Sequence, residues 1–279
     1  ISHAYTYLES RVDPNDRHQA LLACFEVTLK SIASIALANF MRDIQNDTKI
    51  GNAHLFQDLV DKLSRPLSLG HWQELLRLTL RPYAKRRDAL VIPQLFDFYY
   101  RVTEHGNVKT QSENVRSIQR LIQERNEEAH HRNRSQASTF QRQSELSDLL
   151  EDLNAILSQL KFLAEYPLLY VEYAEYRDEC WHYRANFAQG ASYPFPQRTW
   201  KTHLSVNSHR CLIFNETVPA VLELDPFVII TSEGRLQQPD IFFFDGVFSS
   251  GQAKFMNYHV NDYIDSTDEG SPASVANDA

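Results

Sequence analysis

The sequence DPNDRHQALLACFEVTLKSIASIALANFMRDI, residues 13–44, decides the fold of the first half of the chain. Asp13 suits a helix N-cap and Pro14 suits the first helical position, so a helix is predicted to begin here. From Arg17 to Ile44 the segment is rich in Ala, Leu and Ile, and its apolar residues recur every three or four positions. This period is typical of a helix with a buried face. We therefore expect a long core helix.

Shorter helical patterns continue as far as residue 165. They predict helices near 53–64, 69–81, 93–102, 112–131 and 138–165. Ser68 is a candidate N-cap for the helix predicted at 69–81. In the last helix, Leu and Ile recur at threes and fours from Leu146 to Leu163. Such a stripe packs either in the core of a bundle or against a helix of a partner subunit.

The sequence pattern changes at Tyr166-Pro167. Short runs rich in aromatic and β-branched residues follow, and they predict strands at 168–173, 180–187, 210–214, 227–231 and 241–244. Glu233-Gly234 and Asp245-Gly246 are turn candidates. We expect an α+β protein with an all-α domain at 1–165, a small antiparallel β domain at 166–265 and a flexible acidic tail or linker at 266–279.

Composition narrows the class of protein. The content of 43% hydrophobic and 23% charged residues is typical of a globular chain. No uninterrupted apolar stretch approaches the roughly 18 residues of a membrane span, and no secretory signal is visible. The cysteines Cys24, Cys180 and Cys211 are widely spaced, which argues against disulfides and a zinc site and favours three small buried side chains. These features predict a cytoplasmic protein that does not bind membranes.

Charge is distributed unevenly. Residues 1–165 contain 21 Lys and Arg and 21 Asp and Glu, whereas residues 166–279 contain 7 and 15. A broad basic surface for nucleic acid is therefore excluded, and any contact with RNA must depend on a local cluster.

A polar motif interrupts the helix predicted at 112–131. Residues 119–131 read QRLIQERNEEAHH, in which Arg125 and His130 are separated by four residues. The same spacing recurs at Arg198 and His203 in the predicted β region, so spacing alone proves nothing. Here, however, a row at steps of four from Ile118 reaches Asn126 and His130, which puts polar residues where the pattern asks for apolar ones. Such local conflict is expected at functional sites.

An Arg-Asn pair followed by two residues and Ala-His, late in a helical bundle, resembles the HEPN family. The resemblance covers about residues 1–165 and assigns Arg125, Asn126 and His130 to the family motif, with His131 as a reserve. It implies a metal-independent endoribonuclease of toxin or antiphage defence systems, whose two motifs face each other in a homodimer. The β domain would be accessory, and would bind a regulatory protein or connect to further domains.

The chemistry suits these residues. RNA supplies its own nucleophile, the 2′-hydroxyl, and His130 can accept its proton or donate one to the leaving oxygen. Arg125 stays charged and can bind the phosphate oxygens. Asn126 can orient either partner. No cofactor or metal is expected, since no phosphate-binding glycine loop is visible among only 8 glycines.

Other interpretations remain open. Family members also occur as inactive modules for dimerisation or protein interaction, in which Arg125 would be a structural ion-pair partner. A basic cluster at Arg81, Lys85, Arg86 and Arg87 could follow an RNA backbone, although a solvated loop is the simpler interpretation. Likewise, the aromatic residues at 181–183 and 242–244 could stack on bases, but the acidic balance favours a place in the core.

Overall fold

The computed structural model describes residues 1–46, 53–103, 108–130, 139–190, 194–215, 220–232, 239–248, 251–258 and 262–266. Across these residues the chain is an α+β protein. Its α-helices all precede residue 166, and two antiparallel sheets follow it, as the change in sequence pattern predicts. The division into separate domains and the HEPN-like identity of the helical part remain predictions.

The helices and one small hairpin form the first part. The helices are α1 (Ser2–Glu9), α2 (Pro14–Gln45), α3 (Ala53–Leu63), α4 (Leu69–Leu80), α5 (Gln94–Tyr99), α6 (Asn114–His130) and α7 (Thr139–Gln159). Short 3-10 helices cover Arg81–Lys85, Arg87–Ala89 and Lys161–Glu165. The helix predicted at 93–102 ends at Tyr99, because β1 (Tyr100–Val102) is hydrogen-bonded to β2 (Val108–Gln111).

Helix α2 confirms the predicted long helix and lies at the centre of the fold. The Asp13 carboxylate accepts hydrogen bonds from the backbone N–H groups of Asn15 at 2.9 Å and Asp16 at 3.1 Å. Helices α1, α4, α6 and α7 all contact α2, as does one of the two sheets. The Ser68 cap is also confirmed, since its hydroxyl accepts from the backbone N–H of His71. Helix α2 therefore organises the helical part.

By length and composition, α2 is apolar enough to cross a membrane. Within this fold, 83% of its most apolar 18-residue window is buried. The sequence-based expectation of no such segment counted only uninterrupted apolar runs, whereas mean hydropathy tolerates isolated charges such as Glu26 and Lys30. The location of the protein remains a prediction.

Two antiparallel sheets make up the rest. The five-stranded sheet has the order β5-β4-β3-β6-β7 and the four-stranded sheet the order β11-β10-β9-β8. Their strands are β3 (Leu168–Arg177), β4 (Cys180–Phe187), β5 (Gln197–Thr202), β6 (Arg210–Asn215), β7 (Ala220–Glu223), β8 (Val228–Thr231), β9 (Asp240–Val247), β10 (Ala253–Asn257) and β11 (Asp262–Ser266). All five predicted strands occur, and β5, β7, β10 and β11 were not predicted. Glu233-Gly234 and residues 267–279 of the predicted tail lie outside the described residues.

One apolar cluster joins helices and sheets. Phe25 of α2, Trp72 of α4, Phe244 of β9 and Phe255 of β10 are each at most 1% exposed and belong to it. The core therefore continues across the predicted domain boundary. A smaller cluster lies on the five-stranded sheet around Tyr183.

The stripe on α7 also belongs to the core. Its buried members are Leu146, Leu149, Leu153, Ile156 and Leu160. Leu150, Leu157 and Leu163 are partly buried against the same cluster. The core interpretation thus accounts for the stripe, and the predicted homodimer remains untested.

Cys24 and Cys211 are buried and Cys180 is partly exposed, all three as free thiols.

Gly246 corrects the predicted turn at Asp245-Gly246. Both residues lie inside β9, where the register with β10 shifts. Gly246 has φ +105°, and a Cβ atom on it would lie 2.7 Å from the carbonyl oxygen of Arg65 and the Cα atom of Pro66. Glycine is needed here because another segment of backbone passes close to a strand irregularity.

Gly246→Ala should lower the free energy of unfolding by at least about 2 kcal/mol, because it combines a strained φ with a backbone clash. Gly190→Ala is the matched control, since Gly190 has φ +82° but nothing within 4 Å of its would-be Cβ; about 1 kcal/mol is expected there. Urea denaturation measures both. Equal losses in the two variants would contradict the close approach at Gly246.

Candidate functional site

Helix α6 turns its motif arginine toward α2. The buried face of α6 consists of Val115, Ile118, Leu121 and Ile122, each at most 7% exposed. Arg125 follows Ile118 by seven residues, which falls only about 20° short of two full turns. Arg125 therefore continues the buried face of the helix.

Asn126 does not share this face. The row at steps of four from Ile118 was predicted to point inward, and for Asn126 this prediction is wrong. Four residues turn the chain by about 400°, so each step of four moves a residue about 40° further around the helix. Two such steps from Ile118 bring Asn126 to a flank, where it is exposed. The side chain of His130 and the whole of His131 lie outside the described part of the structure, so the assignment of Asn126 and His130 to a site remains a prediction.

Arg125 is held by a carboxylate of α2. Its Nε atom lies 3.6 Å from Oε2 of Glu26. The Arg125 side chain is 40% exposed, whereas that of Glu26 is only 16% exposed. At this distance the contact is an ion pair rather than a hydrogen bond. The guanidinium group is therefore paired with a carboxylate while part of the Arg125 side chain remains accessible.

Behind Glu26 lies a buried ammonium group. Lys30 is 1% exposed, and its Nζ atom lies 3.3 Å from Oε1 of Glu26 one turn earlier on α2. The same Nζ donates hydrogen bonds to Oδ1 of Asp245 and to the hydroxyl oxygen of Tyr258. A charge this deeply buried is tolerated only when such partners surround it.

The four-stranded sheet supplies those partners. Asp245 lies in β9, and its Oδ2 accepts a hydrogen bond from Lys254 of β10 at 2.8 Å. Tyr258 follows β10 and donates its hydroxyl proton to Oε1 of Glu26 at 2.6 Å. Burial, aided by the charges of Glu26 and Asp245, raises the pKa of Tyr258 above its usual value, so the hydroxyl keeps its proton.

We call these six residues the Glu26–Lys30 network. Its members are Glu26, Lys30, Arg125, Asp245, Lys254 and Tyr258. Of these six residues, only Arg125 was predicted from the sequence to be functional. Two charged residues four positions apart in the apolar run of α2 were a visible signal for Glu26 and Lys30. Nothing in the sequence connected them with strands more than 200 residues away.

A second polar contact joins α6 to α2. His18 lies with Nε2 3.3 Å from Glu124 and Nδ1 3.7 Å from Glu128. Gln19 also donates to Glu128. Glu124 and Glu128 therefore lie on the side of α6 that faces α2. The hydrogen bond to Glu128, with the charges of both glutamates, raises the pKa of His18 despite partial burial.

The remaining candidates have simpler environments. Arg81, Lys85 and Arg86 are exposed, and Arg87 forms an ion pair with Asp97 at 2.7 Å. Among the aromatic candidates, Tyr183, Phe242 and Phe244 are each at most 1% exposed, as expected of core residues. Trp181 is partly exposed.

Two further features bear on ligands. Among the described residues, no group of three or more His, Cys, Asp or Glu side chains is arranged to hold a metal ion. A cavity of about 120 Å³ lies between α1, α2 and the four-stranded sheet, with mostly apolar walls. Tyr258 forms part of its lining, together with Asp240 and Asn257.

Comparisons with protein-family models, with curated proteins and with solved structures found no match for this chain.

Lys30→Met should lower the free energy of unfolding by about 3–5 kcal/mol, because it leaves two largely buried carboxylates without their common cation. The matched control is Lys62→Met. Lys62 forms an ion pair with Glu74 at 3.0 Å, but there the carboxylate side chain is 38% exposed, so a loss below about 1 kcal/mol is expected. Urea denaturation of both variants checks this. Similar small losses would show that the network contributes no more than a surface pair.

His18 should stabilise the fold more at mildly acidic than at alkaline pH. A raised pKa means that the folded state binds the proton more tightly, so the gain is fully present below the unfolded value of about 6.5 and is lost as pH rises through the folded pKa. The free energy of unfolding, measured in urea from pH 5 to 9, should therefore differ most between wild type and His18→Gln at the acidic end. A difference that grows with pH would contradict the ion pairs.

Proposed function

We propose that the protein is a metal-independent endoribonuclease of the HEPN type, with Arg125, Asn126 and His130 as its catalytic residues. The observation that carries this proposal is the state of Arg125, whose guanidinium group forms an ion pair with Glu26 while 40% of its side chain remains exposed. Arginine in this condition can bind phosphate oxygens as charge develops on them.

The charges of the network favour an anion at Arg125. Three cations, Lys30, Lys254 and Arg125, face two carboxylates, Glu26 and Asp245. Lys30 is buried and Lys254 binds Asp245 at 2.8 Å, whereas Arg125 makes the longest contact at 3.6 Å. The excess positive charge is thus most available at the motif arginine, which suits a phosphodiester of RNA.

The proposed reaction uses the 2′-hydroxyl of RNA as the nucleophile. His130 accepts the proton of this hydroxyl or donates one to the departing 5′-oxygen, and Asn126 orients the substrate or the imidazole. The 2′-oxygen forms a bond to phosphorus as the bond to the 5′-oxygen breaks. The products are a 2′,3′-cyclic phosphate and a 5′-hydroxyl, and DNA is not cut because it lacks the nucleophile.

In this proposal the helical part forms a homodimer that brings two motifs to one cleft. The sheets serve as an accessory part that binds a regulatory protein or connects to further domains. The protein would act in the cytoplasm as a toxin or antiphage defence effector. These assignments follow from the HEPN resemblance of residues 125–130 and depend on it.

A non-catalytic interaction module is the second candidate. The ion pair between Arg125 and Glu26 favours it, because a structural arginine would make the same contact. It predicts that the chain cuts no RNA and that loss of His130 changes assembly or nothing.

Cleavage of labelled single-stranded RNA separates the two. We expect Arg125→Ala and His130→Ala each to reduce the rate at least about 100-fold, as loss of a charge-stabilising group or of an acid–base group does. Arg198→Ala and His203→Ala are matched controls, because that pair has the same spacing in and after β5. Their rates should stay near that of wild type.

Two further conditions test the chemistry. Cleavage should persist in EDTA, and a single 2′-deoxy substitution at the cleaved position should abolish it. If the Arg125 and His130 variants cut RNA as fast as wild type, the assignment fails. If wild type cuts no RNA, the interaction module is favoured.

A further inference from the structure

We propose that Glu26 is the positioning residue for Arg125 and that Tyr258 fixes Glu26, so that the end of β10 is part of the ribonuclease site. The inference rests on the proposed function and extends it to two residues outside the motif.

The two oxygens of the Glu26 carboxylate have separate partners. Oε1 accepts the hydroxyl proton of Tyr258 at 2.6 Å and lies 3.3 Å from Nζ of Lys30. Oε2 lies 3.6 Å from Nε of Arg125. Since the first oxygen is held from two directions, the carboxylate cannot turn freely about its last bond. The second oxygen is therefore directed at the arginine.

Arg125 needs such an anchor more than a buried residue would. A free arginine side chain samples many rotamers, and 40% of this one is exposed. The closest contact to Glu26 is made by Nε, so the fork formed by the two terminal nitrogens is not the group that binds the carboxylate most closely. An arginine held in this way loses less freedom when it binds the transition state.

Tyr258 links this anchor to the sheet. Its hydroxyl keeps its proton because burial raises its pKa, so it serves as a lasting donor to Glu26. It also accepts a hydrogen bond from Lys30, which Asp245 of β9 holds in turn. The position of Arg125 therefore depends on where the strands place one phenol and one carboxylate.

The test compares Tyr258→Phe with Tyr166→Phe in the cleavage of RNA. Both changes remove one hydroxyl at the junction of helices and strands, but Tyr166 donates to Gln94 at 2.9 Å and does not touch Glu26. We expect Tyr258→Phe and Glu26→Gln to lower kcat at least tenfold with KM changed less than threefold. Tyr166→Phe should leave both near wild type.

Combining Tyr258→Phe with Arg125→Ala separates a positioning role of Tyr258 from a general loss of structure. The double variant Arg125→Ala, Tyr258→Phe should be no slower than Arg125→Ala alone, because the hydroxyl acts through the arginine. If the rate losses of the two single variants multiply in the double variant, or if Tyr166→Phe loses as much activity as Tyr258→Phe, the proposal is overturned.

A second readout does not need activity. The solvent exchange of the Arg125 Nε–H proton, followed by NMR and assigned with Arg125→Lys, should be faster in Glu26→Gln and Tyr258→Phe than in wild type and Tyr166→Phe. If wild type cuts no RNA but exchange behaves in this way, the proposed function fails and the positioning stands. Unchanged exchange in both network variants would overturn the positioning itself.

Discussion

The buried ammonium group of Lys30 determines how the helices and the four-stranded sheet meet. It is 1% exposed in the middle of an apolar helix, and an unpaired charge there would cost several kcal/mol. Its partners come from both parts of the chain, Glu26 from α2 and Asp245 and Tyr258 from the strand region. The helices and the four-stranded sheet must therefore meet in one arrangement, and the continuous apolar core around Phe25 and Phe244 fills the space beside it.

The need to surround Lys30 explains features of the fold that the local sequence pattern could not predict. The Asp13 cap, the apolar period of α2 and the aromatic strands were predictable, because they depend on neighbours within a few residues. Asp245-Gly246 resembles a turn by the same local rules. In the folded chain Asp245 must face Lys30, and Gly246 must admit the backbone of Arg65 at 2.7 Å from its would-be Cβ. A strand with a glycine at its irregularity satisfies both requirements. The need for glycine is visible only from the three-dimensional contact with Arg65.

The candidate site shows the same division. Arg125 was predicted as a functional residue from a polar break in a helical stripe, and it does continue the buried face of α6. Asn126 was placed on that face by counting in fours, which ignores the drift of about 40° at each step. Glu26 and Tyr258 are separated by 232 residues in the chain, so no sequence period relates them. The tertiary fold determines which groups surround Arg125. The candidate site therefore involves α6, α2 and the four-stranded sheet rather than α6 alone.

Lys30 and Asp245 should be energetically coupled across the junction of helix and sheet, since they form an ion pair there. A double-mutant cycle with Lys30→Met, Asp245→Leu and the double variant, followed by urea denaturation, measures this coupling directly. We expect the double variant to be more stable than the sum of the two single losses implies by at least about 1.5 kcal/mol, because each single change removes one partner from a largely buried charge. Additive losses, within about 0.5 kcal/mol, would contradict it.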